Sequence, residues 1–168
     1  EANNHTHARK WLRKAVEDGN SLDGMHWLGV MDEYGLGIEG ANFSSAAAWY
    51  NRACCTTSEQ QHSDAAYKLG LLHAYGRGFN QDVRRALNLF QQAAVQRHAG
   101  AIYYIGVVHL YGHGGVPINY DVARAWFKKA ETATQGMGFF SEKAEKARRE
   151  LEQSVAIATA SNQKVVDM

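Results

Sequence analysis

The chain has 168 residues, of which 45% are hydrophobic and 21% charged, enough to build one packed domain of ordinary size. The net charge is +1 with no basic stripe, which argues against binding nucleic acid through charge alone. The sequence has no run of about 18 apolar residues, the length that would predict a membrane-spanning helix.

The first predicted element is a helix over residues 4–19, and its pattern returns three times along the chain. The four copies, called helix B, begin at Asn4, Asn42, Asp82 and Asn119. Each Asn or Asp predicts an N-cap and is followed by Ala at +4, Trp or Leu at +7, an apolar residue at +8 and Ala at +11. These offsets share one helical face. We expect the alanines to admit a neighbouring helix and the large pair between them to fill the gap.

A second helix, called helix A, is predicted before each of the last three copies of helix B. Each contains Leu-Gly or Ile-Gly, with the glycine at Gly29, Gly70 or Gly106, and each closes with Tyr-Gly-x-Gly. A glycine inside a helix costs roughly 1 kcal/mol against alanine, so close contact with another helix is expected there. Because no strand precedes Gly76-Arg77-Gly78, these glycines predict a helix-ending turn with positive φ and not a phosphate-binding loop.

After the third repeat the pattern changes to a charged helix with one apolar stripe, made of Phe140, Ala144, Ala147, Leu151 and Val155. Such a helix is expected to cap the last repeat and to show its polar side to water. The residues from 158 onward have no clear pattern and are predicted to be a tail. The opening copy of helix B has no helix A of its own, which predicts further repeats upstream in a longer protein.

The segment LGLLHAYGRGF followed by DVRRALNLFQQAA resembles the Sel-1-like repeat, an αα-hairpin related to the tetratricopeptide repeat. The family pattern has a tyrosine where this chain has Asp32, His73 and His109. The resemblance implies an all-α, right-handed αα-superhelical solenoid with a C-terminal capping helix. Residues 1–168 then form a single repeat domain, with a half repeat at 4–19, repeats at 22–54, 64–95 and 99–135, the capping helix at 138–157 and the tail at 158–168.

Histidines are the main candidates for metal chemistry. His109 and His113 are four residues apart, and Asp32, His73 and His109 occupy equivalent places in the three repeats. A metal site needs three or four converging ligands, so these side chains are expected to bond locally and no metal site is predicted. We find no catalytic motif, and we predict no catalytic residue, no cofactor and no enzymatic activity.

Helix A also has a second apolar face, away from helix B. We predict it to be the concave binding face for a partner, since exposed apolar patches mark binding sites. The alternative for these columns is packing between successive A helices. The predicted residues are His26, Val30, Tyr34, Tyr67, Leu71, Tyr75, Tyr103, Val107 and Tyr111.

The resemblance implies an interaction scaffold or adaptor that binds a protein or peptide, with no nucleic acid and no small-molecule substrate. Endoplasmic-reticulum quality-control adaptors are one example, and docking modules of enzymes such as elongation-factor-2 kinase are the alternative. A structural spacer with an empty groove is a third class. A hydrolase-like activity is least favoured, because relatives proposed to bind β-lactams carry regularly spaced cysteines and this chain has only the adjacent Cys54 and Cys55. The sequence does not choose between cytoplasm and endoplasmic-reticulum lumen.

Overall fold

The structure, a computed structural model, describes residues 2–55, 61–133 and 138–166. None of these residues forms a β-strand, and no helix among them is both long and apolar enough to cross a membrane. The eight α-helices of the described residues are α1 (Ala2–Gly19), α2 (Leu22–Glu33), α3 (Phe43–Cys54), α4 (Ser63–Tyr75), α5 (Val83–Val95), α6 (Ala99–Tyr111), α7 (Tyr120–Glu131) and α8 (Phe139–Val166).

The helices follow the predicted alternation, with α2, α4 and α6 as helices A and α1, α3, α5 and α7 as helices B. Asn42, Asp82 and Asn119 are the predicted N-caps, and each side chain accepts the backbone N–H three residues later, at 2.9–3.0 Å. The N-cap expected at Asn4 is wrong, because α1 already begins at Ala2. Helix α8 continues to Val166, past residue 157 where a tail was expected.

The chain divides into two compact units, residues 1–96 and 97–168. In the first unit, α1 packs against α2, α2 against α3, α3 against α4 and α4 against α5. In the second unit, α6 packs against α7, and α8 packs against both. Each unit therefore contains at least one A–B hairpin covered by the helix that follows it.

The contact between helix A and helix B is made by the predicted glycine and a buried ring. A Cβ added to Gly29, Gly70 or Gly106 would lie only 2.5–2.6 Å from the ring of the paired helix B. The ring is at the +8 position in each case, and all three are fully buried: Tyr50, Phe90 and Phe127. The close helix contact expected from the sequence is present.

In α3 and α7 only one member of the large pair on helix B fills the gap, whereas in α5 both Leu89 and Phe90 are buried. Residues at +7 and +8 point about 100° apart on a helix, so Trp49 and Trp126 at +7 are only half-buried. Their rings lie beneath the side chains of Arg52 and Lys129, at 4.8 and 4.7 Å. The expectation that the +7 residue fills the gap is therefore wrong for Trp126, and Phe127 at +8 fills it alone.

The Gly-x-Gly turns end the helices as predicted. Gly76 caps α4 with φ 65° and Gly112 caps α6 with φ 68°, a conformation that glycine adopts without strain. Gly78 lies two residues beyond the cap with φ 85°, and a Cβ there would come within 2.8 Å of Phe43 Cβ. The second glycine lets the turn pack on the start of the preceding helix B, so both glycines have a structural reason.

Candidate functional site

The most accessible residues of the predicted binding face are three tyrosines at the ends of the A helices. Tyr34, Tyr75 and Tyr111 are 62%, 57% and 61% exposed. Each has a basic or imidazole group beside its ring: Lys68 Nζ lies 5.2 Å from the centroid of Tyr34, the Arg77 guanidinium 5.8 Å from that of Tyr75, and the His113 ring 5.7 Å from that of Tyr111.

Five residues of the predicted face are half-buried: Val30, Tyr67, Leu71, Tyr103 and Val107. The two tyrosine rings also pack inward, since Tyr67 lies 6.0 Å from Phe90 and Tyr103 lies 5.6 Å from Phe127. Both contacts are made with helix B of the same hairpin. One part of each side chain supports the hairpin, and the other part remains accessible.

His26 is the exception, because only 8% of it is exposed. Its ring stacks on that of His62, with centroids 4.5 Å apart and planes within 14°. His62 is the N-cap of α4, and its Nδ1 accepts the N–H of Ala65 at 3.2 Å. The start of α4 thus covers His26, which takes this side chain out of the accessible face and makes it a packing residue between α2 and α4.

In the second unit, residues of the predicted face line an apolar cleft, which we call the α8 cleft. It has a volume of about 660 Å³ and lies between α6, α7 and α8. Helix α6 contributes Tyr103, Val107, Leu110 and Tyr111, and α8 contributes Leu151 and Val155 from its apolar stripe. Phe127 and Ile118 also line it, and Glu150 is the only charged residue among the described lining residues.

Asp32 and His73, the two members of the predicted column in the first unit, have separate surroundings. Asp32 accepts hydrogen bonds from Arg9 and Ser45, while the His73 ring packs 4.3 Å from Phe79. Within residues 2–55, 61–133 and 138–166, no three His, Cys, Asp or Glu side chains are placed to hold a metal ion. What Asp32, His73 and His109 share is a carbonyl that accepts the N–H of the following N-cap residue, at 2.7–2.9 Å.

The repeat pattern and this geometry agree with a family model. The model described as Sel1 repeat matches residues 1–20, 22–55, 63–98 and 99–133. The chain belongs to the Sel1 repeat family. The predicted fold class, an all-α solenoid, is thereby confirmed, and Sel1 repeats are in general protein–protein interaction modules and typically non-enzymatic scaffolds.

Two solved Sel1-type structures resemble the chain. A protective antigen of uropathogenic Escherichia coli strains displaying an SLR fold is 24% identical, with TM-score 0.67, over 76% of this chain and 26% of the antigen. A Sel1 repeat protein from Oxalobacter formigenes is 30% identical, with TM-score 0.64, over 74% of this chain and 48% of that protein. The chain therefore spans about a quarter and about half of these proteins. No curated protein matches it.

Several site residues of this Sel1 repeat chain had no local signal in the sequence. His62 covers His26 from 36 positions away in the chain, and the pairing of Glu33 with Lys68 crosses from one repeat to the next. Glu150 lies on the predicted capping helix, and its charge was expected to face solvent, whereas it borders the α8 cleft. Only the packing of successive helices brings these residues to the face.

Burial gives the Sel1 repeat at residues 22–55 a pH-sensitive histidine. Burial, and then the neighbouring His62, lower the pKa of His26 from 6.5 to about 4, against the opposite effects of Asp64 and Asp23. Lys68 also faces it and lowers the pKa further. The neutral imidazole is the form that the fold stabilises.

We expect the first unit to lose stability on acidification because of His26. Its folded pKa is below its unfolded pKa, so the contribution is complete above pH 6.5 and is lost as the pH falls towards 4. Between pH 7 and 5 this amounts to about 2 kcal/mol of unfolding free energy. Urea titrations at both pH values should show a smaller loss in His26→Phe, whereas the exposed His113→Gln should behave like the parent. An equal loss in His26→Phe would contradict the assignment.

Proposed function

We propose that the chain binds a segment of a partner protein on the accessible side of its A helices, as an adaptor or scaffold module. The observation that carries the proposal is the α8 cleft, where Tyr103, Val107 and Tyr111 of the predicted face line one apolar concavity. Concave apolar sites with a few polar groups are the usual form of binding pockets. In the first unit, Tyr75 and the half-buried Tyr67 and Leu71 offer the same kind of surface on α4.

This surface serves the adaptor role and also the alternative of a docking module that presents substrates to a kinase or other enzyme. Both roles need a partner protein and neither needs a catalytic group. A spacer would not use the surface at all. The chemistry of the described site favours the binding roles over the spacer, because an accessible tyrosine recurs at the end of every helix A.

The test uses Tyr111→Ala, since Tyr111 is the most exposed aromatic residue among those described as lining the cleft. An aromatic anchor commonly contributes 2 kcal/mol or more on truncation, so we expect binding to weaken about 30-fold or more. The melting temperature should change little, because exposed residues contribute little to stability. Tyr103 is less suitable, because its ring packs on Phe127 and Phe140.

The partner is first identified by affinity capture on the immobilised chain and then titrated as a purified protein against each variant. Trp11→Ala is the matched control, because Trp11 is 69% exposed on α1 and lies outside the proposed face. Equal affinity for the parent and Tyr111→Ala, or an equal loss with Trp11→Ala, would reject the proposed face.

A further inference from the structure

The α8 cleft has a counterpart in the first unit that is already filled. There α4 follows the hairpin of α2 and α3, as α8 follows the hairpin of α6 and α7. Between these helices the Glu33 carboxylate accepts a hydrogen bond from Tyr50 Oη at 2.7 Å and another from Lys68 Nζ at 3.2 Å. The Lys68 ammonium also lies 5.2 Å from the centroid of the Tyr34 ring. A lysine from the following helix therefore occupies this place.

The repeat register gives the equivalent residues in the second unit. Counted from the helix A glycine, Glu33 corresponds to Leu110 and Tyr34 to Tyr111, and Tyr50 corresponds to Phe127. The carboxylate and the hydroxyl are thus replaced by apolar groups, while the exposed tyrosine at the helix end is kept. Leu110, Tyr111 and Phe127 all line the α8 cleft. None of the described residues that line this cleft is basic.

One carboxylate remains at the cleft, on α8. The Glu150 side chain is 65% exposed, and Lys146 Nζ lies 3.9 Å from its Oε1. An exposed pair at that distance is weak, so the carboxylate can accept a new partner. Other cations of this helix are engaged elsewhere, since Arg149 pairs with Glu145 and Lys143 lies over Phe139. The His113 ring is on the other side of the site, near Tyr111.

We propose that the α8 cleft receives a lysine side chain of the partner segment, flanked by apolar residues, which is an inference that rests on the proposed function. The apolar walls suit the aliphatic stem and the flanking side chains. The Tyr111 ring suits the ammonium by a cation–π contact, as the Tyr34 ring does for Lys68, and Glu150 supplies the opposite charge. The lysine of the partner would approach Tyr111 as Lys68 approaches Tyr34, with Glu150 supplying the carboxylate because Leu110 replaces Glu33.

The experiment titrates the chain with three amidated, acetylated peptides: leucyl-lysyl-leucine, its norleucine analogue and its glutamate analogue. Backbone amide shifts of the cleft residues report binding. A cation–π contact and an exposed ion pair together favour the lysine peptide over norleucine by about tenfold. The preference should shrink in high salt, because exposed charges are screened.

Two variants test whether Glu150 and Tyr111 cause the preference for the lysine peptide over the norleucine peptide. Glu150→Gln and Tyr111→Leu should each reduce it while the norleucine peptide still binds. Glu142→Gln, an exposed carboxylate on the same helix outside the cleft, should leave it unchanged. Equal or tighter binding of the norleucine or glutamate peptide overturns the inference, as does the absence of any shift in the cleft. The peptide titration tests only the lysine inference. If it fails, the proposed function is still supported when Tyr111→Ala weakens binding of the whole partner protein.

Discussion

Replacing Asp32 with alanine is expected to lower the unfolding free energy by about 3–5 kcal/mol, because it leaves a buried arginine without its counter-charge. The side chains of Arg9 and Asp32 are 9% and 4% exposed. Asp32 also accepts a hydrogen bond from Ser45, and Arg9 donates a second one to the Leu36 carbonyl at 2.8 Å. The pair therefore ties α1, α2 and α3 together.

Urea denaturation followed by circular dichroism measures this loss. The double variant Arg9→Met with Asp32→Leu should lose much less than Asp32→Ala, since no buried charge is left unpaired. Asp121→Ala is the surface control, because Asp121 pairs with Arg124 at 2.8 Å but is 88% exposed. It should cost about 1 kcal/mol or less. If Asp121→Ala and Asp32→Ala lower the unfolding free energy by similar amounts, the buried pair contributes no more to stability than an exposed one.

The second large effect is expected at the contact between Gly70 and Phe90. Phe90→Ala removes a fully buried ring and should cost about 3–5 kcal/mol. Gly70→Ala places a Cβ 2.6 Å from Phe90 Cε1, and such overpacking costs about 1–3 kcal/mol. The better helix propensity of alanine offsets up to about 1 kcal/mol of that cost.

A double-mutant cycle separates these effects by the free energy of unfolding of the four chains. With Phe90 already truncated, the Cβ that Gly70→Ala introduces has room, so the double variant should lose clearly less than the sum of the single losses. Gly19→Ala is the control, because nothing lies within 4 Å of a Cβ at that position. Strict additivity of Gly70→Ala and Phe90→Ala would contradict the proposed glycine–ring contact.

The sequence by itself determined the helices and their pairing. The offsets of alanine and aromatic residues on helix B, the glycine inside helix A and the Gly-x-Gly turn are local patterns with a physical cause, and each recurs along the chain. They predicted the hairpins, three of the four N-caps and the reason for glycine at positions 29, 70 and 106. A repeat unit that buries its apolar face only against its neighbours leaves this kind of periodic signal.

The tertiary structure alone decided which side chains on the second face of helix A are accessible. His26, Tyr67 and Tyr103 hold the same place in the repeat, yet His26 is buried because His62 at the start of α4 stacks on it, and Tyr103 lines an open cleft. Likewise Lys68 fills the place between α2, α3 and α4 in the first unit. The corresponding place in the second unit is the α8 cleft, which Glu150 and Leu151 of α8 border. Exposure depends on the side chains of the following helix, and the residues of one repeat carry no information about them.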